Sequence, residues 1–345
     1  MKCAIVTVYN SPNCGSYLQA YALSKKVEQL GHDSSLVEHH FCDQSSSSLS
    51  RMKKTVKLLL KGRFSALRLY EAKNQAFKKA VSKLTVKRRN EDADCYILGS
   101  DTVWDLAVKY FYNHRSFFWG LDFNKGKVIS YAASLGYAKE DVAHCDMVPK
   151  ALQNMEAISV REDSARAILQ PYTDKEIAVV CDPTLLLSTE DYAELMPTVS
   201  YRDYILIYHY GKMPAEYISA IRKIAEKENL QVISIGEMND WCDVCLPHDP
   251  GLFLSMYQNA TYVVTGTFHG TVFSHIFERR FAVIDSTKNK VIDFLKKHGT
   301  LDKIAASSDL LETVLHSDFD YAAVRKVIVQ ERAEGEAYLK NSIKE

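Results

Sequence analysis

The chain has 345 residues, 47% hydrophobic and 25% charged, and its 43 Lys and Arg balance 43 Asp and Glu. That length suits two domains of ordinary size, and the zero net charge excludes nucleic acid as a partner of the whole surface. No run of eighteen apolar residues occurs, so no membrane-spanning helix is expected. The first residues, MKCAIVTVYN, read as a strand. They are too short in apolar length for a secretory leader and lack a small-residue cleavage site. Eight cysteines lie scattered at 3, 14, 42, 95, 145, 181, 242 and 245 without the spacing of a disulfide framework, which favours a reducing, cytoplasmic setting. Cys242 and Cys245 form a lone CxxC, weak evidence for zinc without a second pair or spaced histidines.

In chain order, residues 3–9 predict a buried strand. Residues 16–30 predict a helix, with Leu18, Ala22, Leu23, Val27 and Leu30 at helical spacing and Gly31 as its stop. Short strands follow near 34–38, 94–98, 127–132, 157–160 and 177–181. A second series runs strand 204–210, helix 214–228, strand 231–236, helix 251–258, strand 261–265, helix 269–278, strand 281–284 and helix 289–298. Helix-separated apolar strands imply parallel sheets covered on both faces. The expected class is therefore α/β, with two doubly wound, Rossmann-like domains facing a cleft. The first spans 1–185 and the second 200–318, with the break around 183–203. A final helix, 319–342, is expected to pack back on the first domain.

Residues 44–50 (QSSSSLS) have linker composition. Residues 51–90 carry fourteen Lys and Arg against one acidic residue, Glu71. Val56, Leu59, Leu60, Phe64, Leu67 and Leu69 recur at helical spacing. One reading is a solvated helical pair with a basic outer face. The other is a surface that approaches anionic membrane lipid or a pyrophosphate-bearing substrate.

The most informative stretch is 259–284. A strand ends at Thr265, the chain turns at Gly266, and His269 and Gly270 open a helix. Strand ends and helix N-termini expose unpaired N–H groups that attract anions, and an imidazole there can trade protons near neutral pH. The competing reading is a buried histidine at the start of its own helix.

Six segments taken together resemble the polysaccharide pyruvyl transferase family. They are Asn13 to Leu23 (NCGSYLQAYAL), Tyr96 to Trp104 (YILGSDTVW), Ser130 to Gly136 (SYAASLG), Ile158 to Glu162 with Ser164, Asp182 to Leu186 (DPTLL), and Thr267 to Thr271 (TFHGT) with Phe273, Ser274 and Phe281. The resemblance implies an architecture similar to GT-B-type glycosyltransferases. It also implies transfer of pyruvate from phosphoenolpyruvate onto a sugar as a cyclic ketal, with phosphate released and no further cofactor. An arginine and a histidine that handle phosphoenolpyruvate in the family fall on Arg161 and His269. Thr267 stands where some members carry an arginine. Donor binding is accordingly expected from Arg161, Gly266, Thr267, Phe268, His269 and Gly270, partly through backbone N–H groups.

The chemistry of these residues suits that reaction. Ketal formation needs a proton delivered to the methylene carbon of the enol, sugar hydroxyls deprotonated as they attack, and a stabilised leaving phosphate. His269 is the candidate general acid or phosphate stabiliser. Arg161 follows strand 157–160 and could grip a carboxylate or phosphate with two parallel bonds, or merely pair with Glu162 or Asp163. Asp101 could accept a hydroxyl proton or orient the sugar, or else cap a helix. Asn13, Gly15, Gln19, Ser100, Asp101 and Trp104 form the expected acceptor side. Trp104 and Tyr131 could stack on a sugar or pack in the core. His39, His40 and His275 fall on different faces, so no metal site is expected. The acceptor would be a saccharide, including a lipid-linked one handled at the inner membrane face.

Two other readings stand beside this one. The first is a nucleotide-sugar-dependent glycosyltransferase, weakened because Glu278 is the one nearby acid for a ribose. The second is a non-catalytic, membrane-associated scaffold acting through residues 51–90.

Overall fold

β1 (Lys2–Val6) is buried at every position after Lys2, the pattern of a strand covered on both faces, and it takes the centre of the first sheet. In this computed structural model, which describes residues 1–39, 55–56, 64–136, 142, 145–284 and 289–344, parallel partners flank it. β2 (Asp33–Val37) and β3 (Val86–Lys87) lie on one side, β4 (Cys95–Leu98) and β5 (Lys127–Ser130) on the other. β6 (Ile158–Val160) and β7 (Ile177–Val179) continue beyond β5 through single bridges from Ile129 to Ala157 and from Ala133 to Val160.

The second sheet repeats the order around β8 (Tyr204–Tyr208), buried throughout. β9 (Gln231–Ile235) and β10 (Val244–Leu246) lie on one side, β11 (Tyr262–Thr265) and β12 (Arg280–Val283) on the other, all parallel. The fold is thus two doubly wound α/β domains. In each, the strand order reverses beside the central strand, and ligands bind at the carboxyl ends of the strands there.

α1 (Cys14–Gln29) starts where Asn13 accepts hydrogen bonds from the Gly15 and Ser16 N–H groups, satisfying donors that a helix start leaves orphaned. It ends before Gly31, whose φ of 86° suits glycine. The predicted strand at 3–9 is shorter, because the chain leaves the sheet at Thr7, whose hydroxyl donates to the Ser100 carbonyl. α2 (Phe64–Val81) is the described part of the basic segment, and Phe77 is its buried residue. Val56 and Phe64 are exposed. The linker at 44–50, together with Leu59 and Leu60, lies outside the described residues. α3 (Met147–Asn154), which buries Val148, Ala151 and Leu152, and α4 (Asp163–Leu169), which buries Ala165 and Leu169, were not among the predicted helices, whereas α5 (Ala215–Glu228) and α6 (Pro250–Asn259) match the predicted 214–228 and 251–258.

The domains share apolar packing. One buried cluster runs from Ile5 and Tyr17 in the first to Tyr208, Phe253 and Phe273 in the second. α8 (Asn289–Lys297) and α9 (Tyr321–Ile343) add polar ties. On α9, Arg332 donates to the Leu185 and Leu187 carbonyls at 2.9 and 2.7 Å and Tyr338 to the Ser130 carbonyl, all in the first domain. Glu331 of the same helix pairs with Lys297 and His298 of the second. Gly335 permits the approach: a Cβ there would lie 2.5 Å from the Tyr131 hydroxyl.

Candidate functional site

A cavity of about 290 Å³ opens between the two sheets. Asn13, Ser16 and Asp101 line it from the first domain, and Tyr210, His269 and Lys290 from the second.

His269 is the second residue of α7 (Phe268–Ile276), directly after β11. Thr267 caps this helix, its hydroxyl accepting from the Gly270 N–H at 3.0 Å. The Thr267 N–H in turn donates to the Thr265 hydroxyl. The expectation that N–H groups from 266 to 270 hold an anion therefore narrows. Thr267 and Gly270 are already satisfied, whereas the Phe268 and His269 N–H groups make no hydrogen bond among the described residues. Gly266 serves packing instead, since a Cβ there would lie 2.7 Å from the His209 ring.

Gly15 seats the imidazole. A Cβ on residue 15 would lie 2.1 Å from His269 Nδ1, so the first turn of α1 can approach the second domain this closely only with glycine there. The Nε2 side of the ring faces Asp182 Oδ2 at 3.7 Å.

Arg161 lies behind the cavity wall, its guanidinium 4.4 Å above the Phe268 ring, a cation–π contact. The two-pronged grip on a donor is not available as expected. Nε donates to Glu162 at 2.9 Å and Nη1 to Asp182 at 2.8 Å, and Nη2 is left buried without a partner among the described residues. The pairing with Glu162 was the competing reading. Asp163 pairs elsewhere, with Arg166.

Asp182 is fully buried. Burial alone would raise its pKa, but His269, Arg161 and the Thr184 N–H hold the carboxyl well below the usual range. Asp101 sits at φ 67°, a region in which Asp is among the few tolerated residues. It accepts from the Ser16 hydroxyl at 2.7 Å and from the Thr102 N–H, its own neighbour. Burial works to raise its pKa too. The charges of His269, Arg161 and Lys290 outweigh this and keep it below the ordinary value. Two carboxylates, ionised at neutral pH, thus stand near His269.

Three of the expected acceptor residues stand apart from the cavity. Gln19 is buried, its amide donating to the Thr7 hydroxyl and to the Val8 and Ser16 carbonyls. Ser100 is buried and donates to the Ala132 carbonyl. Trp104 stacks on Trp119 at 4.4 Å between centroids and donates to the Phe118 carbonyl, so its faces are spent in the core. Tyr131 is buried with its hydroxyl near Cys181. Gln19 thereby braces the Ser16 carbonyl, and Ser100 anchors the backbone next to Asp101.

Four residues of the site had no role in the sequence reading, and one of them, Ser16, was named only within the first matching segment. Asp182 was visible only as part of a matching segment. Lys290 opens the predicted helix at 289–298, a position compatible with a cleft. Tyr210 ends the strand predicted at 204–210 and lies past the observed β8, and its ring stacks on His248.

Among the described residues, no group of three or more His, Cys, Asp or Glu is placed to hold a metal ion. His39 bonds the Thr7 carbonyl, and His275 bonds the Thr271 carbonyl and the Thr300 hydroxyl. His40 lies outside the described residues. Burial pushes the Cys242 thiol up to about 12, and the Cys245 thiol donates to the Asn239 carbonyl.

Two facing Rossmann-like domains with a cavity at their switch points define a GT-B-type architecture, and solved structures agree. A Methanocaldococcus jannaschii UDP-GlcNAc 2-epimerase, solved with UDP-GlcNAc and UDP, superposes with a TM-score of 0.51 at 13% identity, covering 96% of this chain and 99% of its own. A Listeria monocytogenes protein described as a UDP-N-acetylglucosamine 2-epimerase gives 0.51 at 10% identity, covering 96% and 90%. At such identities the likeness shows the fold alone. No curated protein matches the chain. The family is shown by sequence: the polysaccharide pyruvyl transferase model matches residues 13–288, and this chain belongs to that family.

Proposed function

We propose that this protein transfers pyruvate from phosphoenolpyruvate to two hydroxyls of a saccharide, forming a cyclic ketal and releasing phosphate. The observation that carries the reading is the convergence on one small cavity of His269, Lys290 and the Phe268 and His269 N–H groups, which are unpaired among the described residues, in a member of this family. The start of α7 offers a helix dipole and two N–H donors to an anion, and Lys290 adds a cation. Arg161 contributes charge from behind Phe268, with Nη2 as its one uncommitted nitrogen.

In this reading His269 protonates the methylene carbon of the enol. The first sugar hydroxyl attacks the central carbon, which that protonation makes electrophilic, and phosphate then leaves with the electron pair of its C–O bond. The second hydroxyl closes the ketal. Asp101, ionised and beside Ser16, orients the attacking hydroxyl. A positioned acid or base supplies ~10²–10⁴-fold.

The acceptor belongs to surface-glycan assembly, including lipid-linked saccharides at the inner membrane face, with the basic segment 51–90 as the membrane-facing surface. No helix among the described residues is long and apolar enough to cross a membrane, so such contact would be peripheral. Nucleotide-sugar transfer is the competing reading. Its candidate ribose acid, Glu278, pairs with Arg325 of α9, which disfavours that role.

The test is phosphate release from phosphoenolpyruvate with and without saccharide acceptors. Acceptor-dependent release, lost in His269→Ala, supports the reading. Full activity in both Arg161→Ala and His269→Ala contradicts the site.

A further inference from the structure

One buried carboxylate joins the two halves of the site. Asp182 belongs to the first domain, at the start of the segment that leads to the second. Its Oδ1 accepts from the Thr184 N–H at 3.1 Å and the Thr184 hydroxyl at 2.8 Å. Its Oδ2 accepts from Arg161 Nη1, and that same oxygen faces His269 Nε2 at 3.7 Å. Nε2 is itself buried and has no hydrogen-bond partner among the described residues, which is uncommon for a buried polar atom. The other ring nitrogen, Nδ1, lies on the Gly15 side, next to the Asn13 and Ser16 wall of the cavity.

A separation of 3.7 Å is longer than a hydrogen bond. Hydrogen bonds within catalytic sites are commonly long without ligand and tighten when it binds. His269 and Asp182 sit on opposite domains, so an approach of about 0.8 Å, to ordinary N–H···O distance, completes the bond. Thr184 and Arg161 hold the carboxylate from the far side, so the histidine is the partner that moves.

We propose that Asp182 is the positioning residue of His269: as ligand draws the domains together it accepts the Nε2–H bond, fixes that tautomer, and leaves Nδ1 to exchange the proton with the ligand. The identity of that ligand rests on the pyruvyl-transfer reading, but the assignment of the two nitrogens does not. In that reaction, Nδ1–H of the imidazolium gives its proton to the methylene carbon, and the ring becomes the neutral Nε2–H form that Asp182 holds. The proton lost by the first attacking hydroxyl returns to Nδ1, and the proton of the second leaves with phosphate. The competing view is that Asp182 only pairs with Arg161, as Glu162 does. Glu162 bonds Arg161 and the Ser134 hydroxyl, so Glu162→Gln disturbs Arg161 while leaving the Asp182–His269 pair in place.

The experiment is nitrogen NMR on histidine-labelled protein at a pH where the ring is neutral, with and without phosphoenolpyruvate, using His269→Gln to assign the signal. Wild type is expected to carry the proton on Nε2. Asp182→Asn is expected to move a substantial share to Nδ1, because the amide can turn its NH₂ toward Nε2, and Glu162→Gln is expected to leave the tautomer as in wild type. In phosphate release, Asp182→Asn should lower kcat by ~10²–10⁴-fold, with a much smaller change in donor KM.

A wild-type proton on Nδ1, or an unchanged tautomer in Asp182→Asn, overturns the proposal. Should that variant fail to fold, the wild-type signal decides. There wild type is compared with and without phosphoenolpyruvate: the proposal expects the Nε2–H signal to shift as the bond to Asp182 shortens, and a signal that phosphoenolpyruvate binding leaves unchanged overturns it. A protein that shows the tautomer change but releases no phosphate from phosphoenolpyruvate leaves this proposal standing and defeats the pyruvyl-transfer reading.

Discussion

Gly15 and His269 touch across the two domains, with the space for a Cβ at residue 15 already taken by the imidazole at 2.1 Å. Gly15→Ala must push either the ring or the α1 loop aside. The expected outcome is a loss of phosphoenolpyruvate-dependent activity of tenfold or more, with a stability cost of about 1–3 kcal/mol, the usual range for overpacking. Steady-state rates and urea unfolding of the same preparation check both.

Arg161 is held by two carboxylates and an aromatic ring. Arg161→Ala strands buried Asp182 and half-buried Glu162 beside a hole, so it should cost about 3–5 kcal/mol, seen as a lower urea midpoint. Arg161→Lys keeps a charge but cannot present the same planar fork, and it should recover only part of that loss.

Asp182 makes stability depend on pH in a definite direction. Its folded pKa is depressed below the ordinary aspartate value of about 3.9. The stabilisation is therefore present above that value and is lost as pH falls below it toward the folded pKa. Asp182→Asn should be less stable than wild type at pH 7 yet lose less on acidification from pH 4 downward. Denaturant midpoints across that range show whether the two curves converge.

Trp104 is expected to report on folding rather than on acceptor binding. It is fully buried and stacked on Trp119, so Trp104→Ala should cost about 3–5 kcal/mol. In the fraction that remains folded, phosphoenolpyruvate binding should match wild type. A selective rise in acceptor KM without loss of stability would show that the ring meets the sugar after all.

The sequence made the sheets legible because their central strands, such as 204–208, are continuous apolar runs between helical periodicities. His269 was legible because a strand end, a glycine turn and a helix start fall within a few residues of one another. Ser100 and Trp104 were misread for a related reason. They too follow a strand end, but sequence does not say which way a side chain turns when the backbone leaves the sheet, and both turn inward. Asp182, Lys290 and Tyr210 join the site by tertiary approach. Asp182 is 87 residues from His269 along the chain, and no local pattern records that distance. Arg161 was read with the right alternatives, yet only the structure shows that two of its nitrogens are committed to carboxylates.

The most direct measurement is a calorimetric titration of the protein with phosphoenolpyruvate and, separately, with nucleotide sugars, in wild type and in Lys290→Ala. The account predicts saturable binding of phosphoenolpyruvate that weakens at least tenfold in Lys290→Ala, and no saturable binding of a nucleotide sugar. Saturable binding of a nucleotide sugar with none of phosphoenolpyruvate would contradict it.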